Sequence, residues 1–163
     1  MHGSTKFYKA AMASKPLVYI AAPLFSQAER KFNSELRKYL SSYFRVFLPQ
    51  ASCDLMPDLI KRGVPIKTAV RSVFSQDLEG VRRCRAIVVV LDGRSIDEGG
   101  AFELGLAYAF GKICVGLQTD VRRLAPFGNN PMIDGALEKI TSSPRELRDW
   151  LRHRFAVRDE EEK

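Results

Sequence analysis

The chain has 163 residues, 45% of them hydrophobic, enough for one compact domain with a core of its own. A net charge of +7 and a pI near 9.5 invite a nucleic-acid partner, but the cations are dispersed around a buried run (Arg82, Arg83, Arg85), in a loop (Arg122, Arg123) and along the last helix (Arg145 to Arg158). No basic block interleaves with exposed aromatics, and no run reaches the roughly 18 apolar residues of a membrane span, so neither nucleic acid nor membrane is an expected partner.

Residues 1–15 form a weakly patterned basic lead without the apolar centre of a signal peptide, and are expected to be mobile. A single domain is expected over 16–157. Residues 17–22 read as a first buried strand, ended by Pro23. Ser26 and Glu29 form a capping box, behind which Phe32, Leu36, Leu40 and Tyr43 recur at helical spacing. Residues 46–48 are a short second strand stopped by Pro49. The stretch 50–65, with two prolines and a glycine, reads as an irregular loop over the sheet edge. From Ile66, the positions Ala69, Val70, Val73, Phe74, Leu78 and Val81 follow a 3.6 period and predict a second long helix.

Residues 84–91 then give a third strand, and 101–110 a helix expected to turn Phe102, Leu106 and Ala109 toward the sheet. A fourth strand spans 112–117. Residues 118–132 are a polar loop, and 137–141 read as a brief fifth strand. Ser143, Pro144 and Glu146 open a final helix whose inner stripe is Leu147, Trp150, Leu151 and Phe155, followed by a charged tail at 158–163. Strands alternating with helices predict an α/β fold, a three-layer sandwich around a parallel sheet with right-handed crossovers.

The most informative stretch follows the third strand. Asp92, Asp97 and Glu98 crowd a loop at the carboxyl end of a central strand, where open α/β sheets bind ligands. Glu103 lies beyond it in a small, apolar helix. It reads either as a first-turn acid favoured by the helix dipole, or as a partly buried carboxylate kept ionised there and aimed at the mouth of the sheet. Acids gathered in one cleft of a basic protein favour a substrate site. Neither GxGxxG nor GxxxxGK[ST] follows the first strand, whose turn is Ala21-Ala22-Pro23-Leu24-Phe25, so a dinucleotide or ATP cofactor is disfavoured. Cys53, Cys84 and Cys114 are odd in number and lack CxxC spacing, which argues against disulfides or zinc and fits a reducing, cytoplasmic setting. His2 lies in the lead and His153 on the last helix, leaving no histidine for metal binding. No metal or cofactor is expected.

Four separated motifs share the order and spacing of a known family. They are Val18-Tyr19-Ile20-Ala21-Ala22-Pro23-Leu24-Phe25, Asp77-Leu78, Asp97 with Gly100-Ala101-Phe102-Glu103-Leu104-Gly105, and Asn130-Pro131-Met132. Over residues 17–150 the chain resembles the nucleoside 2-deoxyribosyltransferases. The resemblance implies a flavodoxin-like fold with a five-stranded parallel sheet. It also implies ping-pong transfer of 2-deoxyribose between nucleobases, a salvage reaction whose partners are 2'-deoxynucleosides and free bases. By it, Glu103 is the nucleophile on the anomeric carbon, Tyr19 orients it and Asp77 stands near the base. Asp97 would bind the 5'-hydroxyl, where related N-hydrolases that take a 5'-phosphate carry a small hydroxyl residue, while Arg94 nearby could instead favour phosphate. Asn130 and Met132 would reach a neighbour's site in a homo-oligomer, a dimer or larger, and Phe25 and Gln50 complete the substrate-binding set. The lead, the tail and the 50–65 stretch depart from the family pattern, so base preference does not carry over.

Without the resemblance, Asp77 reads as a solvated helix residue, Tyr19 as a core tyrosine, and Asn130 as a turn former beside Gly128 and Pro131. The chemistry stands independently. Breaking an N-glycosidic bond passes through an oxocarbenium-like state that a carboxylate can capture, while the leaving base needs a proton from Asp77 or from water it organises. Two other readings remain open: a hydrolase of deoxynucleosides or their 5'-monophosphates on the same scaffold, and a nucleotide-binding module that does not need Glu103.

Overall fold

A computed structural model describes residues 15–122 and 128–161. The expected lead lies almost wholly outside the described residues, as does part of the 118–132 loop. Five strands, β1 (Leu17–Ala21), β2 (Arg45–Phe47), β3 (Ala86–Val90), β4 (Ile113–Leu117) and β5 (Lys139–Thr141), pair in the order β2-β1-β3-β4-β5, every pair parallel. The helices are α1 (Gln27–Ser41), α2 (Pro49–Ser52), α3 (Met56–Lys61), α4 (Ile66–Arg83), α5 (Glu98–Ala109), α6 (Pro131–Ala136) and α7 (Pro144–Glu161).

Burial on both faces explains why β1, β3 and β4 read as continuous apolar runs. Alternate residues of β1 and β3, Val18, Ile20, Ala86, Val88 and Val90, meet Leu36 and Leu40 of α1 and Leu147, Leu151 and Phe155 of α7. The residues between them, Tyr19, Ala21, Ile87 and Val89, meet Val81 of α4, Leu104 and Ala107 of α5 and Ile133 of α6. The chain runs outward from β1 to β2, then returns across to β3. With right-handed crossovers, that reversal puts α1 on one face and α4 on the other and opens a crevice between the carboxyl ends of β1 and β3.

Three expectations change. The 50–65 stretch holds two short helices, α2 and α3, each opened by a proline in its first turn (Pro49, Pro57). In α5 the residues buried against the sheet are Gly100, Leu104 and Ala107, while Phe102 is 56% exposed. Gly100 and Ala107 let α5 sit close to the strands, and Phe102 turns outward along the crevice, where it meets Phe74 of α4 at 6.2 Å between ring centroids. Helix α7 continues through Glu161, so the first charged residues beyond the expected domain are helical.

Candidate active site

The crevice collects side chains from three separate elements. Tyr19 is fully buried because β1 is covered on both faces, and its hydroxyl donates a 2.5 Å hydrogen bond to Glu103 Oε1 of α5. The Phe47 ring stacks on Tyr19 from β2, with centroids 5.1 Å apart and planes 15° from parallel. Gly80 of α4 closes over both rings. A Cβ there would stand 2.7 Å from Phe47 and 2.9 Å from Tyr19, so only glycine lets the helix approach this closely.

Asp77 lies one turn earlier on α4. It lines an apolar cavity of about 290 Å³ together with Glu103, Phe74, Phe102 and Met56, and also a larger one of about 790 Å³ together with Phe25, Cys53 and Leu55. Phe25 is held at that wall because the Arg30 guanidinium donates to the carbonyls of Leu24 and Phe25, at 2.9 and 3.0 Å. Asp97 caps α5, accepting from the Gly100 N–H at 3.0 Å.

Electrostatics single out Glu103. Burial pushes its carboxyl up to about 7, with Asp77 and Asp97 adding repulsion, and the Tyr19 hydrogen bond pulls the other way. Position near a helix start does not hold Glu103 at the ordinary carboxylate value, because loss of water outweighs it. Glu103 is poised to gain or lose a proton near neutrality, as acid–base and nucleophilic sites are. Asp77 is raised as well, chiefly by burial, while the Cys53 thiol hydrogen bond works to lower it. Burial and the Glu103 and Asp77 carboxylates push the Tyr19 phenol far upward, so it remains a donor. Among the described residues, no group of three or more His, Cys, Asp or Glu side chains could hold a metal ion, and no helix is long and apolar enough to cross a membrane.

Glu103, Tyr19 and Asp77 come together, with Asp97 close enough to act on Glu103 and Phe25 on the wall that Asp77 shares. Gln50 does not join them: its amide is spent on α1, donating to the Arg30 carbonyl at 2.9 Å and accepting from Asn33 at 3.0 Å. Asn130 caps α6, accepting from the Met132 N–H at 2.9 Å, and Met132 is 81% exposed. Neither lines a cavity that Glu103 lines. Reading the sequence missed Phe47, Gly80 and Cys53, whose importance comes only from what folding lays beside Tyr19 and Asp77.

A family model described as nucleoside 2-deoxyribosyltransferase matches residues 18–159. The chain belongs to that family. Its fold is shared by a 2-deoxyribosyltransferase from Bacillus psychrosaccharolyticus (21% identity, TM-score 0.65, covering 81% of this chain and 90% of that one). It is shared as well by a 2-desoxiribosyltransferase from Leishmania mexicana (20% identity, TM-score 0.61, 85% and 98% covered). A conserved protein from Enterococcus faecalis V583 is 26% identical, with a TM-score of 0.69 over 86% of this chain and 99% of that one. No curated protein sequence matches the chain. Family and fold together support an enzyme acting on the N-glycosidic bond of nucleosides.

Proposed function

We propose that this protein transfers 2-deoxyribose between nucleobases of 2'-deoxynucleosides through a covalent deoxyribosyl-Glu103 intermediate. The observation that carries the proposal is the 2.5 Å contact between Tyr19 and Glu103 at the wall of a cavity that Asp77 also lines. Tyr19 holds Oε1 and leaves Oε2 as the attacking atom. Attack on the anomeric carbon forms a C–O ester bond as the C–N bond to the base breaks, and the electron pair of that bond departs with the base. The base takes a proton from Asp77 or from water that Asp77 organises. A second base then attacks the same carbon from the face the first one left, releasing Glu103 as carboxylate and returning its own N–H proton to Asp77. The productive form carries one proton on the Glu103–Asp77 pair, so rate against pH is bell-shaped, with limbs that belong to the pair.

Water in place of the second base would make the same site a hydrolase. Incubating a deoxynucleoside with and without a second base decides between them. Transfer predicts a new deoxynucleoside in proportion to the base released. Base release with free deoxyribose at the same rate whether or not a second base is present would establish hydrolysis, and no release at all would leave a binding module.

Asn130 and Met132 are exposed on α6, apart from the cavity that Glu103 lines. They are proposed to complete a neighbour's site in a homo-oligomer. Mixing an inactive Glu103 variant with an inactive Asn130 variant should restore part of the activity. No rescue from a protein of monomeric mass would count against shared sites.

A further inference from the structure

Cys53 has no role in the chemistry above, yet its sulfur lies 3.5 Å from Asp77 Oδ1 in hydrogen-bonding geometry. The contact is built rather than incidental. Cys53 terminates α2, where its own N–H donates to the Pro49 carbonyl at 3.0 Å, and the extended backbone that follows turns the chain toward α3. There it lines both the 790 Å³ cavity that holds Phe25 and Asp77 and a second cavity of about 580 Å³ along the β2 edge.

We propose that Cys53 is a positioning residue for Asp77, its thiol donating to Oδ1 and fixing the carboxyl so that the other oxygen serves the leaving base. Burial and the neighbouring Asp77 carboxylate push the thiol up to about 12. It stays as S–H at any working pH, a donor and not a nucleophile. A thiol is also a weak donor. It orients the carboxylate while leaving Asp77 free to take up a proton. The titratable groups that act on this corner are Tyr19 from β1, Glu103 from α5 and Asp54 beside Cys53. Arg30, Asp58 and Lys61 line the same cavity.

The proposal rests on the N-glycosidic reading of the site, and its test keeps the two separable. Cys53→Ala and Cys53→Ser are made in the full chain and followed by carbon-13 NMR titration of the Asp77 carboxyl and by steady-state kinetics. Removing the donor with alanine should raise the Asp77 titration by a few tenths of a pH unit, and a stronger serine donor should lower it. With alanine, kcat should fall roughly three- to tenfold, the worth of one weak hydrogen bond, while KM changes less than about twofold. Serine should recover most of that loss. If alanine fails to fold, serine alone still tests the direction of the shift. Titrations that do not move, or that move the same way in both variants, would overturn the role. If the unmodified protein neither transfers nor hydrolyses, the functional reading fails while the titration still decides the Cys53 contact.

Discussion

Replacing Glu103 by glutamine should abolish activity and make the protein more stable, but only at pH values where the native side chain is charged. Burial lifts this carboxyl from 4.5 in the exposed state to about 7 in the fold. Below pH 4.5 the acid is protonated in both folded and unfolded chains and costs nothing. Between 4.5 and 7 the unfolded chain sheds its proton while the folded one retains it, so each unit of pH removes about 1.4 kcal/mol of stability. Above 7 the loss is complete, at about 3 kcal/mol. Glutamine has nearly the same shape, keeps an oxygen to accept the Tyr19 hydrogen bond, and carries no charge. Glu103→Gln should therefore be about 3 kcal/mol more stable at pH 8, or roughly 6–12 °C in Tm for a chain of this size, and no more stable at pH 4. Thermal and urea unfolding at pH 4, 6 and 8 measure the difference. An equal gain at all three would mean improved packing instead of a removed charge, and no gain at pH 8 would mean that Glu103 is not strained by burial.

Tyr19→Phe removes the donor that holds the Glu103 carboxylate down, so the acidic limb of the pH–rate profile should move upward and kcat/KM at pH 7 should drop at least about tenfold. An unmoved limb would deny the hydrogen bond its role. Gly80→Ala places a Cβ within 3 Å of the Phe47 and Tyr19 rings. It should cost about 1–3 kcal/mol in unfolding experiments and lower kcat by displacing the Tyr19 hydroxyl, whereas a stable, fully active variant would show that the ring stack does not set the geometry. The unmodified protein should prefer deoxynucleosides to their 5'-monophosphates, because a phosphate about 4 Å from Asp97 is repelled by roughly 4 kcal/mol at an effective dielectric near 20. Asp97→Ser keeps an N-cap for α5 and should narrow that gap; equal efficiency on both substrates before mutation would refute the assignment.

The centre of the sheet was legible because β1, β3 and β4 are buried on both faces and so carry unbroken apolar runs, whereas the edge strands β2 and β5 are short and partly exposed. Helices α1, α4 and α7 were legible from their 3.6 period, and α1 and α7 also from their caps. Helices α2 and α3 were not, since four and six residues offer no period to read and their order comes from proline starts and packing. The inner face of α5 was misread for a different reason. It is apolar almost all round, so no stripe points inward, and closeness to the sheet selects Gly100, Leu104 and Ala107 over the larger Phe102. At the site, the residues of Glu103, Tyr19, Asp77 and Asp97 stood out by motif, but the Tyr19–Glu103 contact joins positions 84 apart and exists only through the topology. Gln50 was placed in the substrate-binding set, yet its amide faces α1. Cys53 left no signal in the sequence, because a lone cysteine acquires meaning only from the carboxylate folded beside it.

The central claim is the covalent bond to Glu103. The protein is mixed with a 2'-deoxynucleoside in the absence of an acceptor base, quenched in acid within the first turnover, digested and mapped by mass spectrometry. The account predicts an increment of one deoxyribosyl group on the peptide containing Glu103, formed in step with base release, discharged by a second base and missing in Glu103→Gln. Base release without any adduct, or an adduct on another residue, would contradict it.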